Sequence, residues 1–180
     1  MMAGVTMETG PAPVALDEVK ALLRLDHSAE DALIAGFVRS ATAMCEAFCG
    51  TVLIEREASE TVEAWRGWRR LGVVPVTAIQ SVAVPVGGGA EEPLAADAYA
   101  IDIDAAGDGW VRVTRRGEAK TVRVRFRAGL AVDWNGVPEP LRQGIVRLAA
   151  HLYGARGEGE AAPPASIAAL WRPWRRLRLA

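Results

Sequence analysis

Apolar residues recur at three- and four-residue steps in two long segments of the chain. The segment between Ser28 and Gly50 has one apolar stripe, which predicts a long helix with Gly50 at its C-terminal cap. Its stripe consists of Leu33, Phe37, Ala41, Met44, Cys45 and Phe48. A shorter helix is predicted over Leu16–Leu25, before Ser28. A second long helix is predicted from Pro138 to about Arg156, with Leu141, Ile145, Leu148, Ala149 and Leu152 as its apolar stripe.

The period changes between these helices, where β-branched residues alternate with polar ones. In the clearest case Val122, Val124 and Phe126 face one way, and the arginines between them face the other way. Gly, Pro and Asp clusters such as "PVGGGAEEP" and "DAAGDGW" separate the segments, which predicts an antiparallel meander. Its strands are expected in Thr51–Trp65, Val73–Val86, Ala98–Asp102, Trp110–Thr114 and Thr121–Ala128.

The fold class predicted from this layout is α+β. We expect a helical bundle built on two long helices, with an inserted antiparallel β meander and an extended C-terminal tail. The predicted divisions are a flexible N-terminal tail over 1–15, a main domain over 16–160 and a C-terminal segment over 161–180. Within the main domain, the helices occupy 16–50 and 138–156, and the β insert occupies 51–130.

Composition points to a soluble protein. The chain has 180 residues, 51% of them hydrophobic, and a formal net charge of −1. No uninterrupted apolar run approaches the roughly 20 residues of a membrane span, and the first residues lack the basic start of a signal peptide. Cys45 and Cys49 lie four apart in the first long helix, which predicts buried, reduced thiols.

Candidate catalytic and cofactor motifs are weak. The glycine-rich "VGGGAEEP" lacks the ending of a phosphate-binding loop, and "DIDAAGDG" places Ala106 and Val113 where a calcium loop needs oxygen ligands. His27 and His151 are isolated in the sequence, and no serine has the glycines of a nucleophile elbow. We therefore predict that the protein is not an enzyme and has no catalytic residues, no cofactor and no metal.

Tryptophan and arginine concentrate in two motifs that share the pattern W-R-x-W-R-R-L. Both residue types are enriched at binding hot spots, although packing within the chain is an alternative for each motif. In that alternative, Trp65 and Trp68 cap a sheet edge and Trp171 packs on the helices. The first Trp/Arg motif, a candidate interface, comprises Trp65, Arg66, Trp68, Arg69 and Arg70. The terminal Trp/Arg motif, a candidate partner-binding segment, comprises Leu170, Trp171, Arg172, Trp174, Arg175, Arg176, Leu177 and Arg178.

Arginines on the predicted strands offer a second function. Arg112, Arg123, Arg125 and Arg127 are candidates for a basic strip that binds nucleic acid without sequence specificity, and a solvated or subunit-facing strand explains them as well. A free-standing DNA-binding protein is therefore the alternative function. The nearly balanced charge argues against it.

Five stretches, taken in order, resemble the head–tail connector (adaptor) family of long-tailed phages, prophages and gene transfer agents. They are "LDEVKALLRLDHSAEDALIAGFVRSATAMCEAFCG", "LGVVPVTAIQSVAV", "AYAID", "VRVRFRAGLA" and "VPEPLRQGIVRLAAHLYGAR".

The resemblance implies a structural protein of the particle neck, assembled in the bacterial cytoplasm, with no membrane partner. It implies a ring of about twelve copies beneath the portal that extends the DNA channel and docks the next neck or stopper protein. Packaged double-stranded DNA would pass through this channel without sequence-specific contacts. The terminal Trp/Arg motif would then bind the portal protein, with Trp171 and Trp174 inserted into a portal crevice. The first Trp/Arg motif would contact a neighbouring subunit or the next neck protein.

Overall fold

The chain forms two compact units, each made of two separate stretches. One, the β unit, comprises Met1–Gly10 and Ile54–Leu130, and the other, the helical unit, comprises Pro11–Leu53 and Ala131–Ala180. The computed structural model describes residues 4–7, 15–115, 117–156 and 163–176. The α+β class predicted from the sequence is confirmed.

The described part of the helical unit contains four α-helices. They are α1 (Leu16–Leu23), α2 (Asp31–Cys49), α3 (Glu139–Gly154) and α4 (Ala165–Trp171), and α2 and α4 both pack against α3. Gly50 ends α2 in the left-handed conformation, with a φ of 66°, as the sequence predicts. Pro138 precedes α3, where its missing N–H group removes no helical hydrogen bond.

The buried face of α2 differs from the predicted stripe by about one residue. Ala41 and Cys45 are buried as predicted, but the other buried positions are Ile34, Val38 and Cys49, and Leu33 is exposed. Small side chains in the middle of this face allow close packing of two helices. The sequence stripe was wrong because the larger apolar residues lie on the flank of α2.

By length and composition alone, α2 is apolar enough to cross a membrane. Core helices pass the same test, and α2 buries one face in its own unit. The helix also carries Arg39 and Glu46.

The β unit contains two antiparallel sheets. The five-stranded sheet has the order β1-β2-β8-β4-β5, from β1 (Val5–Met7), β2 (Arg56–Glu63), β4 (Val76–Pro85), β5 (Glu91–Pro93) and β8 (Thr121–Ala128). The three-stranded sheet has the order β3-β7-β6, from β3 (Arg69–Arg70), β6 (Tyr99–Ile103) and β7 (Gly109–Val113). In β8, Val122, Val124 and Phe126 are fully buried as predicted.

Two predictions about the β region were wrong. The strands do not form a meander, because β8 lies between β2 and β4 and pairs with both. Residues 1–15 are not simply a tail, because Val5–Met7 pair with Ala58–Glu60 as strand β1.

The two loops that resembled ligand motifs are connections between strands. "VGGGAEEP" lies in the β4–β5 hairpin. In the β6–β7 turn, the Asp104 carboxylate accepts hydrogen bonds from the backbone N–H groups of Ala106 and Asp108, both at 2.9 Å. This carboxylate closes the turn, as a plain turn at "DIDAAGDG" predicts.

Candidate interaction surfaces

The first Trp/Arg motif lies where the chain leaves β2 and enters β3, the edge strand of the three-stranded sheet. Trp65 is 56% exposed and Trp68 is 43% exposed. The Trp65 indole lies over Gly67, where an added Cβ would come within 2.7 Å of Trp65 Nε1. The two tryptophans therefore lie at a sheet edge, as the packing alternative predicts, but they leave much of their surface open.

Carboxylates hold two arginines of this motif. Arg69 pairs with Glu63 at 2.9 Å and lies 5.9 Å from the centre of the Trp65 ring. Arg70 pairs with Asp108 at 3.4 Å. Exposed ion pairs of this kind contribute about 1 kcal/mol or less to stability, but they restrict the side chains in the unbound protein. A restricted side chain loses less conformational entropy when a partner binds.

The structure adds two residues of β7 to this surface. The Arg112 guanidinium lies 4.8 Å from the centre of the Trp68 ring, and Trp110 Nε1 donates to Asp104 Oδ2 at 3.0 Å. Arg70 pairs with Trp110 across the strands, so their side chains share one face. We call the group Trp68, Arg70, Trp110 and Arg112 the Trp/Arg face. Sequence analysis missed the contribution of β7, although the outward positions in "GWVRV" carry it.

The terminal Trp/Arg motif is divided between the core and the surface. Trp171 is only 1% exposed and lies 5.9 Å from the Phe48 ring, measured between ring centres. Its Nε1 donates to the Leu141 carbonyl at 3.4 Å and lies against Gly144. The prediction that Trp171 inserts into a portal crevice was wrong, because this side chain fills the core of its own unit.

The residues around Trp171 are more accessible. Leu170 is half-buried, Arg172 and Arg175 are exposed, and Trp174 is 37% exposed. Arg176 donates its backbone N–H to the Cys49 carbonyl at 2.9 Å, so the segment is attached to the C-terminal end of α2. Leu177 and Arg178 lie outside the described residues.

The arginines proposed as a nucleic-acid strip lie on two different sheets. Arg123 and Arg125 both pair with Glu91 at 2.9 Å, and Arg127 pairs with Glu55 at 2.5 Å. Arg112 belongs to the three-stranded sheet. Two carboxylates, Glu55 and Glu91, therefore offset most of the charge of the three β8 arginines, which argues against the DNA-binding alternative.

A shallow cavity of about 200 Å³ lies beside this paired network, lined by Thr6, Glu57, Ala58, Ser59, Glu91, Arg123 and Arg125. No histidine or cysteine lines it. Within residues 4–7, 15–115, 117–156 and 163–176, no cluster of three or more His, Cys, Asp or Glu residues has a geometry that suits a metal ion.

The two cysteines are buried, reduced thiols, as predicted. A hydrogen bond with Cys49 and burial both raise the pKa of the Cys45 thiol above its ordinary value. The same hydrogen bond lowers the pKa of Cys49, so it is the ionisation of Cys45 that favours the unfolded chain, in which the pKa of a cysteine is about 8.5.

We expect the free energy of unfolding to fall as the pH rises above about 8.5, where the unfolded state releases the Cys45 proton and the folded state retains it. One such group contributes at most about 1.4 kcal/mol per pH unit. Urea unfolding of the wild type and of Cys45→Ala from pH 7 to 10 measures this effect. The variant should show the flatter dependence, and parallel pH profiles would contradict the assignment.

Comparison with known proteins gives a family match over part of the chain. Residues 13–81 match the sequence model of the phage gp6-like head–tail connector proteins. Over these residues the chain is similar to the head–tail connector family. This confirms the resemblance identified in the sequence. No curated protein sequence matches the chain.

Solved structures extend the likeness to the full length of the chain. It is 28% identical to a chain in the neck of an empty gene transfer agent particle computed with C6 symmetry, with a TM-score of 0.79. It is 28% identical to a chain in a native gene transfer agent virion, with a TM-score of 0.75, and 26% identical to one in a native neck computed with C12 symmetry, with a TM-score of 0.73. Each comparison covers 100% of this chain and 98% of the other.

Proposed function

We propose that this protein is a head–tail connector, a non-enzymatic structural subunit of the neck of a phage-like particle, a phage, prophage or gene transfer agent, assembled in the bacterial cytoplasm. About twelve copies form a ring beneath the portal, extend the DNA channel and dock the next neck or stopper protein. The observation that carries the proposal is the full-length likeness to neck chains of gene transfer agent particles, including a neck of C12 symmetry. Packaged double-stranded DNA passes through the ring without sequence-specific contacts.

The helices of 16–50 and 138–156 build the body of the ring in this proposal, and the C-terminal segment 161–180 docks on the portal. Support for this division comes from the packing of α2 and α4 on α3, which places the exposed part of the terminal Trp/Arg motif at one end of α2. The contact residues are Arg172, Trp174 and Arg175, with Leu170 and Arg176 at their border and Leu177 and Arg178 following in the chain. Trp171 holds this segment on the unit from within.

Because α4 contributes to the core, portal docking is better tested by substituting exposed side chains than by deleting the segment. Deleting the whole of α4 would remove Ile167 and Trp171 from the core, so a loss of binding would only report unfolding. The double variant Trp174→Ala/Arg175→Glu alters exposed side chains and leaves α4 in place. Arg39→Glu, on the exposed side of α2, is the matched charge reversal.

We expect Trp174→Ala/Arg175→Glu to weaken binding to the portal protein encoded beside this chain by at least about tenfold, because exposed Trp and Arg side chains dominate many protein interfaces. Arg39→Glu should bind like the wild type. Biolayer interferometry on immobilised portal measures both, and thermal melting verifies that each variant is folded. Wild-type affinity for the double variant would contradict portal docking by this segment.

A further inference from the structure

The three-stranded sheet presents two edges of opposite chemistry. The β3 edge carries the first Trp/Arg motif, and the β6 edge carries Ile101, Asp102 and Ile103. On the shared outer face, Arg70, Trp110 and Asp102 form one row across the three strands. Asp102 therefore puts a negative charge on the β6 side, whereas Arg70 on the β3 side is already paired with Asp108 at 3.4 Å.

The β6 edge is open for strand pairing. Val113 donates its backbone N–H to the Trp65 carbonyl at 2.9 Å, and Gly109 accepts from Leu71 at 2.8 Å, so alternate residues of β7 bond toward the β3 side. Trp110 and Arg112 consequently bond toward β6, at Asp102 and Ala100.

By the same alternation, the backbone groups of Ile101 and Ile103 point away from β7. Within the part of the chain that the structure describes, β6 has no strand partner other than β7. The Ile101 and Ile103 side chains are also 42% and 37% exposed. An unpaired edge with exposed isoleucines is a site where another chain can add a strand.

The β3 edge offers aromatic surface and an exposed arginine, which the β6 edge lacks. Trp65 and Trp68 present aromatic surface there, and Arg66 is exposed with no ion pair to any described carboxylate. Asp102 is likewise exposed, with no ion pair to a described basic residue.

We propose that in the assembled ring the β3 edge of one copy lies against the β6 edge of the next copy. The proposal rests on the ring assembly inferred above. A ring forms through heterologous contacts, in which two different surfaces of the same chain meet. The two edges meet this requirement because they lie on opposite sides of one sheet and are complementary in charge and in apolar surface.

Disulfide trapping in the full-length protein tests this contact. Arg70 and Asp102 both pair with Trp110 from opposite sides, so their Cα atoms lie about 10 Å apart within one copy. A disulfide requires Cα atoms closer than about 7 Å. The double variant Arg70→Cys/Asp102→Cys therefore cannot close a bond within a copy and links only neighbouring copies.

On mild oxidation of the concentrated protein, we expect this double variant to give a ladder of dimers, trimers and larger species on a non-reducing gel. Each single-cysteine variant gives dimers at most, since it has one new thiol per copy. Adding Ile101→Lys, which places a charge on the open edge, should remove the ladder. A double variant that gives no species beyond the single-cysteine controls overturns the proposal.

The outcome of disulfide trapping can be distinguished from the outcome of the portal-binding test of the proposed function. If this protein forms rings on the portal but the double-cysteine variant gives no ladder, this contact is overturned and the neck assignment stays in place. A ladder that Ile101→Lys abolishes would support the contact even if portal binding fails.

Discussion

Trp171→Ala lowers the free energy of unfolding of the helical unit by about 3–5 kcal/mol, the range for removing a large aromatic side chain from a core. The residue is 1% exposed, and its ring contacts α2 through Phe48 and α3 through Gly144. Its truncation opens a cavity between three helices that the remaining side chains cannot fill. Urea unfolding followed by circular dichroism at 222 nm measures the change.

Trp174→Ala is the matched control, because this tryptophan is three residues away and 37% exposed. We expect it to cost less than about 1 kcal/mol. Equal losses for the two variants would contradict the division of the terminal Trp/Arg motif into a buried anchor and an exposed contact.

Gly129→Ala destabilises the β unit by about 3 kcal/mol, at the upper end of the range for overpacking. A Cβ at this position would lie 2.3 Å from the backbone N and Cα of Glu55, and 2.8 Å from the carbonyl carbon of Ile54. Backbone atoms cannot rotate away as a flexible side chain does. The ends of β8 and of the segment before β2 must therefore separate to admit the methyl group.

Gly4→Ala, in the same unit, is the control for this substitution, since a Cβ at Gly4 would meet nothing within 4 Å. Thermal and urea unfolding of both variants should show a large loss for Gly129→Ala and a change within about 0.5 kcal/mol for Gly4→Ala. A well-tolerated alanine at 129 would refute the close approach of the two segments.

Local patterns predicted the elements of this fold better than their arrangement. The alternation in 121–128 gave the buried face of β8, and Gly50 gave the end of α2, because each signal depends on neighbouring residues. The central place of β8 depends on pairing with β2 and β4, whose register partners lie 58 or more and 40 or more residues away in the chain. Periodicity carries no information about such distant partners.

The same lack of information about distant residues limited the prediction of the candidate surfaces. The sequence identified Trp65 and Trp68, but their neighbour Arg112 comes from another strand, and only the β3–β7 register brings it to Trp68. Trp171 and Trp174 are the two tryptophans of one motif, yet one is in the core and the other is on the surface. What separates them is the space over Gly144, a residue 27 positions before Trp171 in the chain.

Electron cryo-microscopy of the purified connector mixed with its portal protein tests the central claim most directly. We expect portal particles with an added ring of about twelve subunits on the side where DNA leaves, with the C-terminal segment of each copy in contact with the portal. Portals without added density, at protein concentrations well above the measured Kd, would contradict the assignment of this chain as a neck ring.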